Sequence, residues 1–480
     1  MNWRAVLRVL GALLTFVGLT LLLPIGVSLY YGDGDLPALL WSLGLNLTVG
    51  LFLWRLKADE RELRVREGFA IVTFGWLLLV LFGVLPYLLA DVGISFTDAF
   101  FETMSGYTTT GATILNDVEA LPHGVLMWRS LTHWLGGMGI IVLSLAILPM
   151  LGVGGMQLFK AEVPGPAVDK LQPRVQDTAK ALWGVYVLIT IAETVLLKLG
   201  GMSVFDAICH TFGTVATGGF STKNAGIEHF DSAYIEYVII VFMLIAGTNF
   251  ALHYRALSGQ PGTYARSSEF RFYLTVVAVT AGVVFLDLVV RQNWNAPLSL
   301  RKSLFQVTSL VTTTGYHSAD YELWTPSSQL FLVTLMFFGG CAGSTGGGVK
   351  MVRVYLMLKY AAVQFKRLLH PSAVIPIRLD RRSVSLDAIA DIQTFLLLYL
   401  SIFVVASLLM SLLGLDLITS VSTVISSLGN IGPGIGQIGP TENYAHLPFA
   451  AKWLLSFLML TGRLELYTVL VIFGRHFWTK

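Results

Sequence analysis

Four stretches of the chain share one pattern, and they decide the fold. They read FTDAFFETMSGYTTTGAT at Phe96–Thr113, VFDAICHTFGTVATGGFS at Val204–Ser221, LRKSLFQVTSLVTTTGYH at Leu300–His317 and LITSVSTVISSLGNIGPG at Leu417–Gly434. A pattern that recurs in this way indicates one structural unit used several times. Laid over one another without a gap, the stretches align four glycines in one column: Gly111, Gly219, Gly315 and Gly432.

The residues around the glycine column are typical of a re-entrant pore loop. The 10 to 12 residues before it are compatible with a helix but are too short to cross ~30 Å of hydrocarbon. The glycine-bearing segment that follows reads as extended, and such backbone is tolerated at membrane depth only where it lines water or protein. Three of the four segments have threonine two positions before the glycine. The pairs before the glycine are Thr109 and Thr110, Thr217 and Gly218, Thr313 and Thr314, and Asn430 and Ile431.

The sequence outside these loops is that of a membrane protein. Apolar residues make up 55% of the 480 residues, only 13% are charged, and the mean hydropathy is +0.70. Soluble domains carry roughly 25% charged residues, so a soluble globular fold is excluded. The first apolar run has no small-residue cleavage site after it, which favours a retained helix over a signal peptide. Six runs are each predicted to span the membrane: Val9–Leu29, Phe69–Leu89, Trp183–Leu199, Tyr234–Leu252, Phe272–Val290 and Thr394–Leu413.

Basic residues cluster in four loops, although the net charge is only +3. The positive-inside rule predicts that these loops and both termini are cytoplasmic. The clusters flank apolar spans and lack interleaved aromatic residues, so a nucleic-acid partner is not expected. The basic residues are Arg55, Lys57, Arg61, Arg64 and Arg66; Lys160, Lys170, Arg174 and Lys180; Arg255, Arg266 and Arg271; Lys359, Lys366, Arg367, Arg378, Arg381 and Arg382; and, at the termini, Arg4, Arg8, Arg475 and Lys480.

This orientation predicts four units that each cross outward and return, with a pore loop at the outer turn. Units with two crossings share one orientation and are therefore parallel repeats. The predicted fold is an all-α polytopic membrane protein with four helix–pore-loop–helix repeats around a pseudo-fourfold pore. An extra helix pair, at roughly 6–30 and 37–54, precedes them. The predicted divisions are 1–67 for this pair and its loop, and 68–152, 153–257, 258–358 and 359–480 for the repeats.

The aligned residues suit a cation that loses its water shell, and K⁺ is the expected ion. Backbone carbonyls replace water oxygens without adding a charge that would trap the ion. Glycine allows positive φ, so that successive carbonyls can turn toward one axis. Threonine adds a hydroxyl acceptor, and the C-terminal end of a short helix favours a cation. A less selective Na⁺/K⁺ or NH₄⁺ pathway and a non-conducting membrane sensor are the alternatives.

Several motifs resemble the Trk/Ktr/HKT superfamily of K⁺ transporters, and most closely its bacterial Trk-system membrane subunits (the TrkH/TrkG group). The resemblance runs from end to end, and the extra N-terminal pair distinguishes the chain from the shorter KtrB type. The matching stretches are TTTGAT at 108–113, HWLGGMGI at 133–140, VATGGFST at 215–222, TTTGY at 312–316, GGCAGSTGGGVK at 339–350, NIGPG at 430–434 and TGRLE at 461–465.

The resemblance implies specific roles and partners. It implies that the twelve aligned residues from Thr109 to Gly432 named above form a K⁺ selectivity filter, with no cofactor in this chain. It also implies a homodimer in the bacterial inner membrane, with one pore per subunit. A cytosolic TrkA-like subunit that binds a nucleotide, NAD(H) or ATP/ADP, is the expected regulatory partner. The fourth segment departs from the threonine-rich pattern at Asn430 and Ile431, as fourth repeats of the family do.

A glycine run interrupts the apolar stretch Leu330–Leu358. It lacks the Gly-Lys-Ser/Thr of a phosphate-binding loop, because Val349 separates Gly348 from Lys350. A flexible break in a pore-lining helix is therefore predicted, and the family uses this segment as an intramembrane gate. Arg463, about 15 residues into the last span, is expected at the same depth and facing the pore, the alternatives being a structural pair with Glu465 or a helix end. The predicted gate comprises Gly339, Gly340, Gly343, Gly346, Gly347, Gly348, Lys350 and Arg463.

Other polar residues in apolar surroundings receive structural interpretations. His133, His210 and His253, with Glu102 and Asp98, could suggest a metal or hydrolase site, but no ligand-like spacing or nucleophile motif supports one. Hydrogen-bonded structural roles are expected for them. Asp98 and Asp206 are predicted to cap their short helices. Cys209 and Cys341, the only cysteines, form no disulfide framework or metal-ligand pattern.

Overall fold

A computed structural model describes residues 1–57, 64–142, 175–380 and 382–479 of the chain. In these ranges the protein consists of α-helices, two short 3₁₀ turns and one small β-hairpin. The all-α membrane fold expected from the sequence is confirmed. Six of the predicted cytoplasmic basic residues lie outside the described residues: Arg61, Lys160, Lys170, Arg174, Arg381 and Lys480.

The helices are numbered in chain order. The first eleven are α1 Trp3–Thr20, α2 Leu22–Tyr31, α3 Leu36–Trp54, α4 Val65–Gly83, α5 Leu85–Leu89, α6 Phe96–Tyr107, α7 His123–Val142, α8 Val175–Leu199, α9 Val204–Val215, α10 Ala233–Ala246 and α11 Phe250–Leu257. The others are α12 Thr263–Arg266, α13 Ser268–Arg291, α14 Ala296–Val311, α15 Pro326–Leu335, α16 Met351–Leu369, α17 Leu386–Leu412, α18 Leu417–Gly429, α19 Phe449–Arg463, α20 Tyr467–Phe473 and α21 Arg475–Trp478. The 3₁₀ turns are Gly226–Phe230 and Tyr321–Leu323, and strands β1 Arg378–Leu379 and β2 Arg382–Ser383 pair antiparallel.

Among the described residues, six helical segments are long and apolar enough to cross a membrane, or up to eight if each of two bent pairs is one span. The six are Trp3–Tyr31, Leu36–Trp54, Val65–Leu89, Thr178–Leu199, Ser268–Arg291 and Leu386–Leu412. The first two correspond to the predicted N-terminal pair. They pack closely because Gly11 and Gly50 lie at the crossing of α1 and α3, where a Cβ at either position would overlap the facing helix.

The predicted span over Tyr234–Leu252 is not one continuous helix. The chain bends by 100° between α10 and α11, at residues 247–249. Two contacts stabilise the bend: the Asn249 side chain accepts a hydrogen bond from the Ala251 N–H, and the Gly247 carbonyl accepts one from Cys341 N at 2.8 Å. The carbonyl released by the bend is thus satisfied by the glycine-rich segment. A second bend, of 118°, separates α19 from α20.

Four short helices, α6, α9, α14 and α18, are the ones predicted before the glycine column. The helix α14 is longer than expected, at 16 residues, because Pro297 in its first turn starts it at Ala296. The assignment of Asp98 as the cap of α6 was wrong. The Ser95 hydroxyl caps the helix by accepting from Asp98 N at 3.2 Å, and Asp98 lies in the first turn of the helix.

The same correction holds for the second short helix. Ser203, not Asp206, caps α9, and its hydroxyl accepts from Asp206 N at 2.9 Å. A serine hydroxyl followed three residues later by a carboxylate satisfies the free N–H groups at a helix start. Both short helices therefore begin with the same local arrangement.

Candidate functional site

The four aligned glycines lie in a closed ring, each against the next segment along the chain. All four have positive φ, between 78° and 102°, as expected for a backbone turned in a way that other residues rarely adopt. A Cβ atom added to any of them would overlap a carbonyl oxygen of the neighbouring segment. The pairs close the ring in chain order: Gly111 against Gly218, Gly219 against Thr314, Gly315 against Ile431, and Gly432 against Thr110.

The residue two positions before each glycine is also left-handed, which sequence reasoning missed. Thr109, Thr217, Thr313 and Asn430 have φ of 51°, 55°, 58° and 55°. This conformation costs a β-branched residue ~1–3 kcal/mol and persists only where the surroundings impose it. Asparagine tolerates it better than most residues, so the fourth segment keeps the shared backbone despite its different sequence.

One hydrogen-bond pattern orients the backbone in all four segments. The N–H of the residue just before the glycine donates back into its own short helix, at 2.7 to 2.9 Å. In a planar trans peptide the preceding carbonyl points the opposite way. The carbonyls of Thr109, Thr217, Thr313 and Asn430 therefore point away from the short helices. The donor–acceptor pairs are Thr110 to Ser105, Gly218 to Gly213, Thr314 to Ser309 and Ile431 to Ser426.

A cavity opens on the side of the ring formed by the residues that follow the glycines. It is lined by all four ring glycines and, farther out, by the amide side chains of Asn116, Asn224 and Asn443. On the opposite side the four short helices end, α18 directly before its left-handed residue and α6, α9 and α14 one residue earlier. Their carbonyl ends carry partial negative charge toward the ring. The arrangement can hold a desolvated cation between an open vestibule and four helix dipoles.

Buried side chains brace the ring from behind. The Arg129 Nε lies 2.7 Å from Glu102 Oε1, its Nη1 donates to the Ser221 carbonyl at 2.9 Å, and its guanidinium lies over the Phe220 ring. These contacts of Arg129 join the first aligned segment to the second. Sequence reasoning considered Glu102 but missed Arg129, although a charged residue inside an apolar stretch is a signal in itself.

Tyrosines brace the other three junctions. The hydroxyl of Tyr316 donates to the Phe220 carbonyl at 3.2 Å, and that of Tyr321 donates to Gly434 at 2.7 Å. Tyr444 closes the ring, since its N–H donates to the Thr113 carbonyl at 2.8 Å. Tyr316 directly follows Gly315 within the third segment, whereas Tyr321 and Tyr444 lie beyond the third and fourth segments, and no periodicity marks these tyrosines as braces. Such buried, satisfied hydrogen bonds fix the spacing of the four segments.

The glycine-rich segment between α15 and α16 lies against the ring on the short-helix side. The Gly347 N–H donates to the Thr313 hydroxyl at 2.7 Å, and the Thr345 hydroxyl donates to the Val215 carbonyl, the end of α9, at 3.0 Å. The backbone packs so closely that a Cβ at Gly347 would crowd the Gly429 carbonyl. Position 347 therefore needs glycine, because a side chain there would prevent the segment from packing against the end of α18.

Arg463 and the glycine-rich segment meet. The Arg463 Nη1 donates to the Thr345 carbonyl at 2.6 Å and its Nη2 donates to the Gly136 carbonyl at 3.1 Å. The alternative pairing of Arg463 with Glu465 is absent, because Glu465 forms an ion pair with Arg353. Lys350 donates to the Gly346 carbonyl inside the segment. The remaining predicted gate residues lie in the two arms of the segment. Gly339, Gly340 and Gly343 are in the first arm, and Gly348 is in the second arm, which leads into α16.

The buried histidines have hydrogen-bonded structural positions. His133 contacts the Gly106 carbonyl through Nδ1 at 2.7 Å, and its Nε2 accepts from Phe220 N at 3.2 Å. His210 bonds Ser221 and His253 bonds Tyr264. In the ranges that the structure covers, no three histidine, cysteine, aspartate or glutamate side chains group as metal ligands.

Comparisons with known proteins agree on one family. The TrkH family, described as cation transport proteins, matches residues 43–477. The Trk system potassium uptake protein TrkH of Salmonella typhimurium is 42% identical over 485 residues, covering 100% of both chains. TrkG of Escherichia coli is 35% identical over 99% of this chain and 98% of its own. The crystal structure of the potassium transporter TrkH from Vibrio parahaemolyticus superimposes with a TM-score of 0.92, at 38% identity and full coverage of both chains.

Proposed function

The chain belongs to the TrkH family of cation transport proteins, and we propose that it takes up K⁺ across the bacterial inner membrane. It is a transporter and not an enzyme. Its relatives carry the name potassium uptake protein at about 40% identity over their full length. The proposal includes four pore repeats with the divisions predicted from the sequence, and cytoplasmic termini.

The closed ring of glycines carries the proposal. Four segments with the same left-handed residue, the same N–H donation and the same positive-φ glycine present equivalent backbone to a common centre. Carbonyl oxygens of this kind replace the hydration shell of K⁺. The proposed filter consists of Thr109, Thr110, Gly111, Thr217, Gly218, Gly219, Thr313, Thr314, Gly315, Asn430, Ile431 and Gly432.

The glycine-rich segment and Arg463 form the proposed gate. The segment occupies the space where the short helices end, so a cation leaving the ring would meet it. Its Thr345 carbonyl binds the Arg463 guanidinium, which places a positive charge beside the path. A loop held by a few hydrogen bonds and rich in glycine suits an element that must switch between two arrangements. Opening requires the segment to leave the Thr313 hydroxyl and the Arg463 side chain.

A cytosolic partner is the proposed regulator. The relatives belong by name to the Trk system, and a TrkA-like nucleotide-binding subunit fits the basic loops placed in the cytoplasm by the positive-inside rule. The bound nucleotide, NAD(H) or ATP/ADP, would belong to that subunit. We also propose a homodimer with one pore per chain.

Isotope flux into liposomes tests the function. The purified full chain is reconstituted, and ⁸⁶Rb⁺ uptake is measured with K⁺, Na⁺ or NH₄⁺ as competitor. Flux blocked by K⁺ and not by Na⁺ supports the proposal. Flux that Na⁺ also blocks indicates the less selective pathway, and no flux with or without a partner indicates a non-conducting sensor.

A further inference from the structure

Glu269, at the start of α13, bonds to the first arm of the glycine-rich segment and to the first turn of α16, which continues the second arm. Its Oε1 accepts from Ala342 N at 2.7 Å and from Val352 N at 3.1 Å. Ala342 precedes the part of the segment that contacts Arg463, and Val352 follows it. One carboxylate oxygen on a separate helix therefore holds the two arms together.

The arms also bond to each other at this level. Gly339 N donates to the Val349 carbonyl at 2.9 Å, and Met351 N donates to the Gly340 carbonyl at 3.2 Å. These two bonds hold the two arms side by side at the base of the segment, which we call the neck, and Glu269 lies beside it. The residues beyond the neck are the ones that reach the ring and Arg463, so their position depends on whether the neck stays closed.

The helix α16 begins at this neck without a cap of its own. Its N-cap residue, Lys350, makes no side-chain capping bond. Glu269 supplies the acceptor instead, since Val352 is the second residue of α16. A carboxylate at a helix N-terminus satisfies a free N–H and interacts favourably with the helix dipole. Loss of Glu269 would therefore weaken both the neck and the first turn of α16.

The β-hairpin connects to the same place. The Asp380 carboxylate accepts from Ser268 N at 2.7 Å, directly before Glu269. Ile377 and Leu379 of the hairpin share a buried apolar cluster with Ala342 and Val352. A displacement of the hairpin would thus act on both sides of the Glu269 contacts.

We propose that Glu269 is a positioning residue that latches the glycine-rich segment closed by holding its two arms to α13, with the β-hairpin as the element that releases it. This inference rests on the proposed function, because it specifies how the proposed gate is held. It concerns contacts that neither the ring nor Arg463 makes, so it can fail independently of them.

Hydrogen exchange on the full-length protein, read by mass spectrometry, tests the latch. Glu269→Ala should speed exchange of the amides in 336–352 about 10-fold or more, because two backbone hydrogen bonds to the carboxyl oxygen are lost. Glu269→Gln should have a smaller effect, since its amide oxygen still accepts but carries no charge. Asp380→Ala should act on the same peptide in the same direction. The control is Asp287→Ala, at the other end of α13, where the carboxylate bonds Ser328.

Each outcome decides a separate point. Unchanged exchange of 336–352 in Glu269→Ala, or an equal increase in Asp287→Ala, overturns the latch. No change in Asp380→Ala overturns the role of the hairpin. Partner-free ⁸⁶Rb⁺ flux of Glu269→Ala is measured in parallel. Faster exchange with raised flux supports latch and gate together, whereas faster exchange with parental flux supports the latch and contradicts the proposed gate.

Discussion

The amide nitrogen of Gly347 lies 2.7 Å from the hydroxyl oxygen of Thr313. Thr313 is one of the four left-handed residues before the ring glycines, and Gly347 is at the tip of the glycine-rich segment. The proposed gate therefore bonds directly to the proposed filter. A segment that moves out of the path must break this bond.

We expect Thr313→Val to raise partner-independent ⁸⁶Rb⁺ flux about 2- to 10-fold, because one hydrogen bond of ~0.5–1.5 kcal/mol no longer favours the closed segment. Valine preserves the β-branched shape, so the backbone of the ring is retained. Thr313→Ser, which keeps the hydroxyl, is the control and should conduct like the parent. Parental flux in Thr313→Val would show that the bond does not hold the gate.

Arg463→Ala should raise partner-independent flux and leave the order of competing ions unchanged. The substitution removes the bond to the Thr345 carbonyl and the positive charge beside the path. Deletion of part of 343–348 should do the same. The measurement is ⁸⁶Rb⁺ flux with Na⁺ and K⁺ competition, and Arg291→Ala, on an exposed helix end, is the control. A changed order of competing ions without a change in flux would contradict the assignment of the gate to Arg463 and the glycine-rich segment.

Two fully buried glutamates should respond differently to amide substitution. Glu102 pairs with Arg129, whereas neither carboxylate oxygen of Glu193 has a hydrogen-bond partner among the described residues. Glu102→Gln should destabilise the protein by ~3–5 kcal/mol, because a buried guanidinium loses its counter-charge. Glu193→Gln should change stability by less than about 1 kcal/mol. Thermal unfolding of the purified variants measures both, and equal losses of melting temperature would contradict this assignment.

Cysteine labelling tests the orientation of the chain. Ala120→Cys should react with an impermeant thiol reagent in intact cells, and Ser372→Cys should react only after permeabilisation, following the positive-inside rule. Both positions are exposed, while the native Cys209 and Cys341 are buried, so background labelling should be low. Labelling of Ser372→Cys in intact cells would contradict the predicted orientation and indicate the opposite one.

The sequence was sufficient for the membrane fold and for the glycine column. The apolar runs and the ungapped alignment predicted both, because span length and positive-φ glycine follow from local chemistry. The position of Arg463 along its span also predicted that it lies at the depth of the glycine-rich segment, where its Nη1 contacts the Thr345 carbonyl. These features could be predicted because few other residue types are tolerated at such positions.

Features imposed by tertiary contacts could not be predicted. Thr109 and its equivalents are left-handed although threonine disfavours that conformation, because the short helices fix the following N–H groups. The bend after α10 is invisible in an uninterrupted apolar run, and depends on Cys341, about 90 residues away, to satisfy Gly247. Braces such as Arg129 and Tyr316 likewise depend on which segments become neighbours.

The most direct measurement is ion competition for ⁸⁶Rb⁺ flux in Gly315→Ser compared with the parent and with Gly282→Ser. A side chain at Gly315 would overlap the Ile431 carbonyl, whereas a Cβ at Gly282 meets nothing within 4 Å. We expect the parent and Gly282→Ser to prefer K⁺ over Na⁺, and we expect Gly315→Ser and Gly111→Ser to lose this preference. Unchanged ion competition in both ring variants would contradict the assignment of the four glycines to the filter.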